Sequence, residues 1–162
     1  MAYLLAKKGC VVVCWDVNAT GNDETVKHIN EELGKEAYGF IVDVTDREAV
    51  YKAAHQSALK AGDITLLINN AGIVSGRSFL ELDDKVIEKV MAVNTMSHFW
   101  TTKAFLPSMI EKDHGQIVAI ASSAGYFAVP KLTDYCASKA AAAHFADVSI
   151  AKLIDLCFTY FY

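Results

Sequence analysis

Four cysteines are scattered through the 162 residues, and none of Cys10, Cys14, Cys136 and Cys157 stands in the Cys-x-x-Cys spacing of a metal site. They read as reduced, mostly buried small residues, and no metal is expected. Long apolar runs are missing too: Cys10 to Trp15 and Ile117 to Ala121 fall far short of the ~20 residues a membrane helix needs. Lys7 and Lys8 interrupt the N-terminal apolar stretch, so no signal peptide is read there. Neither sign of charge dominates. The net charge of −4, with acids and bases interspersed, leaves no basic stripe for phosphate backbones and argues against nucleic acid as a partner. Repeats, linkers and low-complexity segments are absent as well. What remains is a chain with 53% hydrophobic residues, enough for one globular core. It is expected to be soluble and cytoplasmic, with no membrane segment.

Apolar and amphipathic stretches alternate along the chain. Ala2 to Lys8 reads as the last turns of a helix, stopped by Gly9. Cys10–Trp15, Tyr38–Val42, Ile64–Ile68 and Gln116–Ala121 read as strands, the first of them valine-rich and buried on both faces. Helical patterns lie between them: about Asn22 to Leu33, then from a Thr45 cap to about Lys60. Asp83 to about Glu111 follows in one or two segments, and then Leu132 to Asp155. Such alternation predicts parallel strands joined by right-handed crossovers, hence a doubly wound α/β sheet. The tail from Leu156 to Tyr162 is aromatic and uncharged, and reads either as a strand edge or as sequence foreign to the fold.

In an open parallel sheet, ligands bind beyond the carboxyl ends of the strands. Four predicted strand ends carry polar residues: Asp16, Asp43, the turn Asn69–Gly72, and Ser122 with Ser123. An early acid can accept hydrogen bonds from a ribose and repel a 2′-phosphate, so Asp16 favours NAD over NADP. Taken singly, Asp16 is equally well read as a turn residue, and Asp43 better so. Tyr135 and Lys139 stand four apart in a helical stretch and so share a face about one turn apart. A free phenol ionises near pH 10, so base chemistry near neutrality requires the phenolate to be stabilised by about 4 kcal/mol. A neighbouring ammonium supplies part of that. The pattern alone is cheap, because Tyr3 and Lys7 repeat it in an ordinary amphipathic segment.

Together, Asn69-Asn70-Ala71-Gly72, Asn94, Ser122, Tyr135-Cys136-Ala137-Ser138-Lys139 and Asp43 resemble the short-chain dehydrogenase/reductase family, in its order and spacing up to about Leu153. The segments LLINNAGIVSGRSFLEL and DYCASKAA look like its retinol and 17-beta-hydroxysteroid dehydrogenases. The resemblance implies a Rossmann-like fold and hydride transfer between NAD(P), preferably NAD, and a lipophilic alcohol or carbonyl such as a retinoid, steroid or fatty alcohol. Tyr135 then matches the catalytic acid/base. Lys139 matches the residue that favours the phenolate and binds the nicotinamide ribose. Ser122 matches the residue that orients the substrate oxygen, being the serine at Ser-x-x-Gly with Gly125, and Asn94 the asparagine that holds a relay water. Asp43 and Val44 match the adenine-contacting pair, and Asn70, Ala71 and Gly72 the turn lining the cofactor cleft. The resemblance also implies a homodimer formed through the long helices. His98, on a mostly apolar helix, is read as packed rather than catalytic.

The family's glycine-rich phosphate loop is not found; counting back about 20 residues from Asp16 passes Met1. The chain is therefore expected to be a fragment. Residues 1–155 would form a partial Rossmann domain lacking its first strand and its C-terminal strands, and 156–162 an aberrant tail. A missing central strand would forgo roughly 10 kcal/mol of apolar burial. The competing expectation is thus an inactive fragment that pairs with other copies as an interaction module. For a longer form, the resemblance points to the endoplasmic reticulum or lipid droplets.

Overall fold

The computed structural model describes residues 1–150 and 157–161, with side chains through residue 146. The chain divides into two compact units, Met1–Ile64 and Thr65–Tyr162. The predicted helix beyond residue 150, and residues 156 and 162 of the tail, lie outside the described residues.

In the first unit, α1 (Ala2–Lys7) leads through Gly9, at φ 94°, into β1 (Val12–Asp16). Helix α2 (Ala19–Lys27), β2 (Ala37–Ile41) and α3 (Arg47–Ala61) follow. The strands pair in parallel from Val12↔Ala37 to Asp16↔Ile41. Buried Asn22, on α2, clamps their ends by donating to the carbonyls of Cys14 at 3.2 Å and Phe40 at 3.1 Å. The core beneath is Ala6, Val12, Ile29 and Ala37. Two boundaries differ from expectation. Helix α2 starts three residues before the predicted Asn22, because Asn18 caps it by accepting from the Gly21 amide and so outweighs the poor helix formers Thr20 and Gly21. The cap of α3 is Asp46 rather than Thr45. The Asp46 carboxylate accepts from the Glu48 and Ala49 amides, whereas the Thr45 hydroxyl donates to Asp43.

In the second unit, β3 (Leu66–Asn69), β4 (Gln116–Ile120) and β5 (Cys157–Phe161) form a parallel sheet in the order β3-β4-β5. Leu66 pairs with Gln116, and Gln116 in turn with Cys157. The tail thus contributes a strand. Helix α4 (Asp84–Met91) runs through a π-helical turn (Ala92–Met96) into α5 (Ser97–Glu111), and α6 (Thr133–Ile150) follows β4. Among the described residues, no helix is long and apolar enough to cross a membrane.

A second π-helical turn, His28–Glu32, closes α2. Each π turn has an asparagine at its centre whose amide pairs with one backbone unit, accepting from its N–H and donating to its carbonyl. Asn30 holds Ala37 at 2.8 and 3.1 Å, and Asn94 holds Ile73 at 2.8 and 2.9 Å. A carboxamide has the same donor and acceptor as a peptide, so each π turn offers a neighbouring segment a strand-like partner.

Candidate active site

The carboxyl ends of β3 and β4 open into the turn Asn70–Gly72 and the loop Ala121–Leu132, beside the first turns of α6. Positions three to four apart on α6 face inward, from Asp134 through Ser138 (0% exposed) and Lys139 (4% exposed) to Ala142, Ala143 and Ala146, while Tyr135 is half-buried. The Lys139 ammonium donates to the Ile120 carbonyl, the last of β4, at 2.6 Å and lies 5.9 Å from the centre of the Tyr135 ring. It has no carboxylate partner among the described residues. Burial pushes its pKa below the usual lysine range, because the charged form has lost water it cannot replace. The Tyr135 hydroxyl makes no hydrogen bond to another described residue.

Ser122 is two residues past Ile120. Its hydroxyl oxygen accepts from the Ala124 amide at 3.2 Å, capping the 3-10 turn Ser123–Gly125 and leaving its proton free to donate. Ser122 is half-buried and Ser123 exposed. Gly125 lays this turn directly on α6: a Cβ there would be 2.9 Å from the Ala140 nitrogen and 3.0 Å from the Lys139 carbonyl carbon. Backbone cannot move aside as a flexible side chain can, so a bare Cα is required.

Asn94 is fully buried, and its amide is heavily committed. Besides the two bonds to Ile73, its Nδ2 donates to Ser138 Oγ at 3.0 Å, and Ser138 Oγ donates to the Tyr135 carbonyl at 2.8 Å. Thr95 adds a bond to the Ser138 carbonyl at 2.9 Å. This lattice ties the Asn70–Gly72 turn to the helix bearing Tyr135 and Lys139. A Cβ on Gly72 would lie 3.5 Å from Lys139 Nζ and 3.6 Å from Asn94 Oδ1, so the absent side chain leaves room between an ammonium and an amide oxygen. Asn70 and Ala71 are exposed, and Asn69 is held through its Oδ1 by Thr101 at 2.7 Å.

His98 is 1% exposed, and neither ring nitrogen has a partner among the described residues. Burial, with a smaller push from the Lys139 charge, lowers its pKa from 6.5 to about 4, so it is neutral at pH 7.

Asp16, Asp43 and Val44 belong to the first unit, at the carboxyl ends of β1 and β2. Asp16 is exposed, and its Oδ1 accepts from the Asn18 amide at 2.9 Å. Asp43 Oδ1 accepts from the amide and hydroxyl of Thr45 at 2.9 and 2.6 Å, and Val44 beside it is half-buried. Both acids therefore form local turns, with part of each carboxylate committed. Ser138, Thr95 and Gly125 are the contributors that sequence reasoning missed as positioning groups. For Ser138, its small polar side chain inside the Tyr-x-x-x-Lys pair was the available signal; Thr95 and Gly125 carried none of that kind.

A parallel α/β sheet with a buried lysine one helical turn from a tyrosine, both at a strand's carboxyl end, defines the class. A family model described as "short chain dehydrogenase" matches residues 1–154, and the chain belongs to that family. It is 46% identical over 147 residues to short-chain dehydrogenase/reductase family 16C member 6 of Bos taurus, covering 91% of this chain and 46% of that protein. Human epidermal retinol dehydrogenase 2 is 47% identical over 147 residues, with 91% and 48% covered. Mouse estradiol 17-beta-dehydrogenase 11 is 45% identical over 144 residues, with 89% and 48% covered. The chain spans about half the length of these curated relatives. Among solved structures, NAD+-bound xylitol dehydrogenase superposes with a TM-score of 0.91 at 27% identity, over 96% of this chain and 60% of that one. A metagenomic short-chain oxidoreductase in complex with NADP gives 0.93 at 24% identity, over 98% and 73%. These likenesses give the fold as the doubly wound, Rossmann-like sheet expected from the alternation of elements.

Proposed function

We propose that this chain carries the catalytic residues of an NAD-dependent oxidoreductase that acts on a lipophilic alcohol or carbonyl of the retinoid, steroid or fatty-alcohol type. One observation carries the reading: the buried Lys139 ammonium, fixed at the end of β4 and without a carboxylate partner among the described residues, lies 5.9 Å from the Tyr135 ring. Such a cation favours any oxygen anion brought beside it, and the Tyr135 ring stands one helical turn away. The nicotinamide, when bound, supplies the hydride acceptor or donor. Tyr135 takes or returns the proton of the substrate oxygen at its phenol, and Ser122 donates to that oxygen. Lys139 retains two N–H groups beyond the one given to Ile120, which suits the hydroxyls of a ribose. Gly72 leaves room for a water between Lys139 Nζ and Asn94 Oδ1, which supports a proton relay through both. Asp16, exposed and with one oxygen uncommitted among the described residues, supports the preference for NAD, and Asp43 with Val44 the adenine end. The names of the relatives, which include retinol and estradiol dehydrogenases, support the substrate class.

Pairing with a second copy through α5 and α6 belongs to the same reading. Phe99 of α5, its ring tilted against that of Phe145 with centroids 4.6 Å apart, is 40% exposed, and Ile110 on the same helix 52%. The competing reading, a module that pairs without catalysis, shares this face. Titrating NADH fluorescence against the 162-residue chain, with retinol turnover and sedimentation in parallel, separates the two. Saturable binding with turnover supports the enzyme, and self-association without NADH binding supports the module.

A further inference from the structure

We propose that Ser75 and Asp134 form a latch that holds the segment after β3 against the first turn of α6 and thereby positions Tyr135. Asp134 is the second residue of α6 and immediately precedes Tyr135. It is 5% exposed, and its Oδ1 accepts a hydrogen bond from Ser75 Oγ at 2.9 Å, across 59 residues of chain. Its other oxygen is buried without a partner among the described residues. Burying a carboxylate with so few hydrogen bonds is costly. The positive end of the α6 dipole offsets part of that cost, and the Ser75 hydroxyl supplies a donor.

The segment has little else to hold it. Ile73 is clamped by Asn94, but beyond it Val74 is 57% exposed, Gly76 takes a left-handed φ of 69°, Arg77 is exposed and Phe79 is 63% exposed. Among the described residues, Ser75 makes the one side-chain hydrogen bond that residues 74–78 form. It therefore fixes a segment that adjoins the Asn70–Gly72 turn on one side and Tyr135 on the other. Its value to catalysis rests on the reading of Tyr135 as acid/base, but the latch can be tested without turnover.

Arg77, exposed two residues from Ser75, is a tryptic site inside the latched segment, and exposed Lys35 in the first unit is an internal control. Ser75→Ala and Asp134→Ala, each of which removes one partner of the bond, should each speed cleavage at Arg77 by roughly ten-fold, the scale of one charge-assisted hydrogen bond. Cleavage at Lys35 should not change. The double variant should be no faster than either single one, and Ser75→Thr, which keeps the donor, should restore protection. The Cys136 amide, bonded to the Leu132 carbonyl at 2.7 Å, closes the helical turn around Tyr135, and its hydrogen exchange should quicken in the same variants. Unchanged cleavage at Arg77 in Ser75→Ala would overturn the latch, as would equal acceleration at Lys35. Unchanged exchange at Cys136 would overturn the positioning of Tyr135.

Discussion

Two glycines do different work within a few ångströms of Lys139. Gly125 is needed for packing, because its missing side chain lets the Ser122 turn rest on the α6 backbone. Gly125→Ala should destabilise the chain by about 1–3 kcal/mol, measured by urea denaturation, as overpacking against immovable backbone does. Gly72 has ordinary van der Waals room for a methyl group, so Gly72→Ala should leave the urea midpoint unchanged. It should instead slow turnover, because the methyl fills the space between Nζ and Oδ1 that a relay water would occupy. His98 gives a pH dependence. With a native pKa of about 4 against 6.5 unfolded, it is neutral in both states above pH 6.5 and contributes no penalty there. As the pH falls below 6.5 the unfolded chain gains the proton first, and stability drops by up to about 3 kcal/mol by the time the pH reaches about 4. His98→Leu should flatten that part of the curve in urea titrations run between pH 4 and 7.

At the scale of elements, the site hangs on the π turn between α4 and α5. Asn94 there holds Ile73 and Ser138, and through Ser138 the carbonyl of Tyr135. Asn94→Ala strands a buried hydroxyl and a backbone unit, and should cost about 2 kcal/mol in the same denaturation assay. Asn94→Asp, which keeps the acceptor and loses both donors, should recover only part of it. The existence and order of strands and helices were legible in the sequence, because valine-rich runs and helical periodicity are local signals. Tyr135 and Lys139 were legible for the same reason, since four residues on a helix fix a shared face. The π turns were not. An i→i+5 turn has no compositional signature, and these two arise from asparagines bonding segments 7 and 21 residues away. The Asp46 cap was hidden by Thr45, another capping residue, whose hydroxyl is drawn off by Asp43. The strand Cys157–Phe161 was left open by periodicity, because its pairing with β4 is set by the sheet rather than by its own pattern.

For the whole molecule, membership of the short chain dehydrogenase family and the doubly wound fold rest on matches that cover nearly all of this chain and about half of its curated relatives. The second unit assembles Ser122, Tyr135, Lys139, Asn94 and Gly72 around the carboxyl ends of β3 and β4. The first carries Asp16, Asp43 and Val44 at the corresponding ends of β1 and β2. Whether the molecule works as an oxidoreductase turns on the phenol beside the buried ammonium. The most direct measurement compares NADH formation from retinol by the wild-type chain and by Tyr135→Phe, each with NADH affinity measured by fluorescence. Tyr135→Phe should lose at least about a hundred-fold in turnover, the scale of general acid–base catalysis, while its NADH affinity is unchanged. Turnover that survives the substitution at the wild-type rate would contradict the assignment.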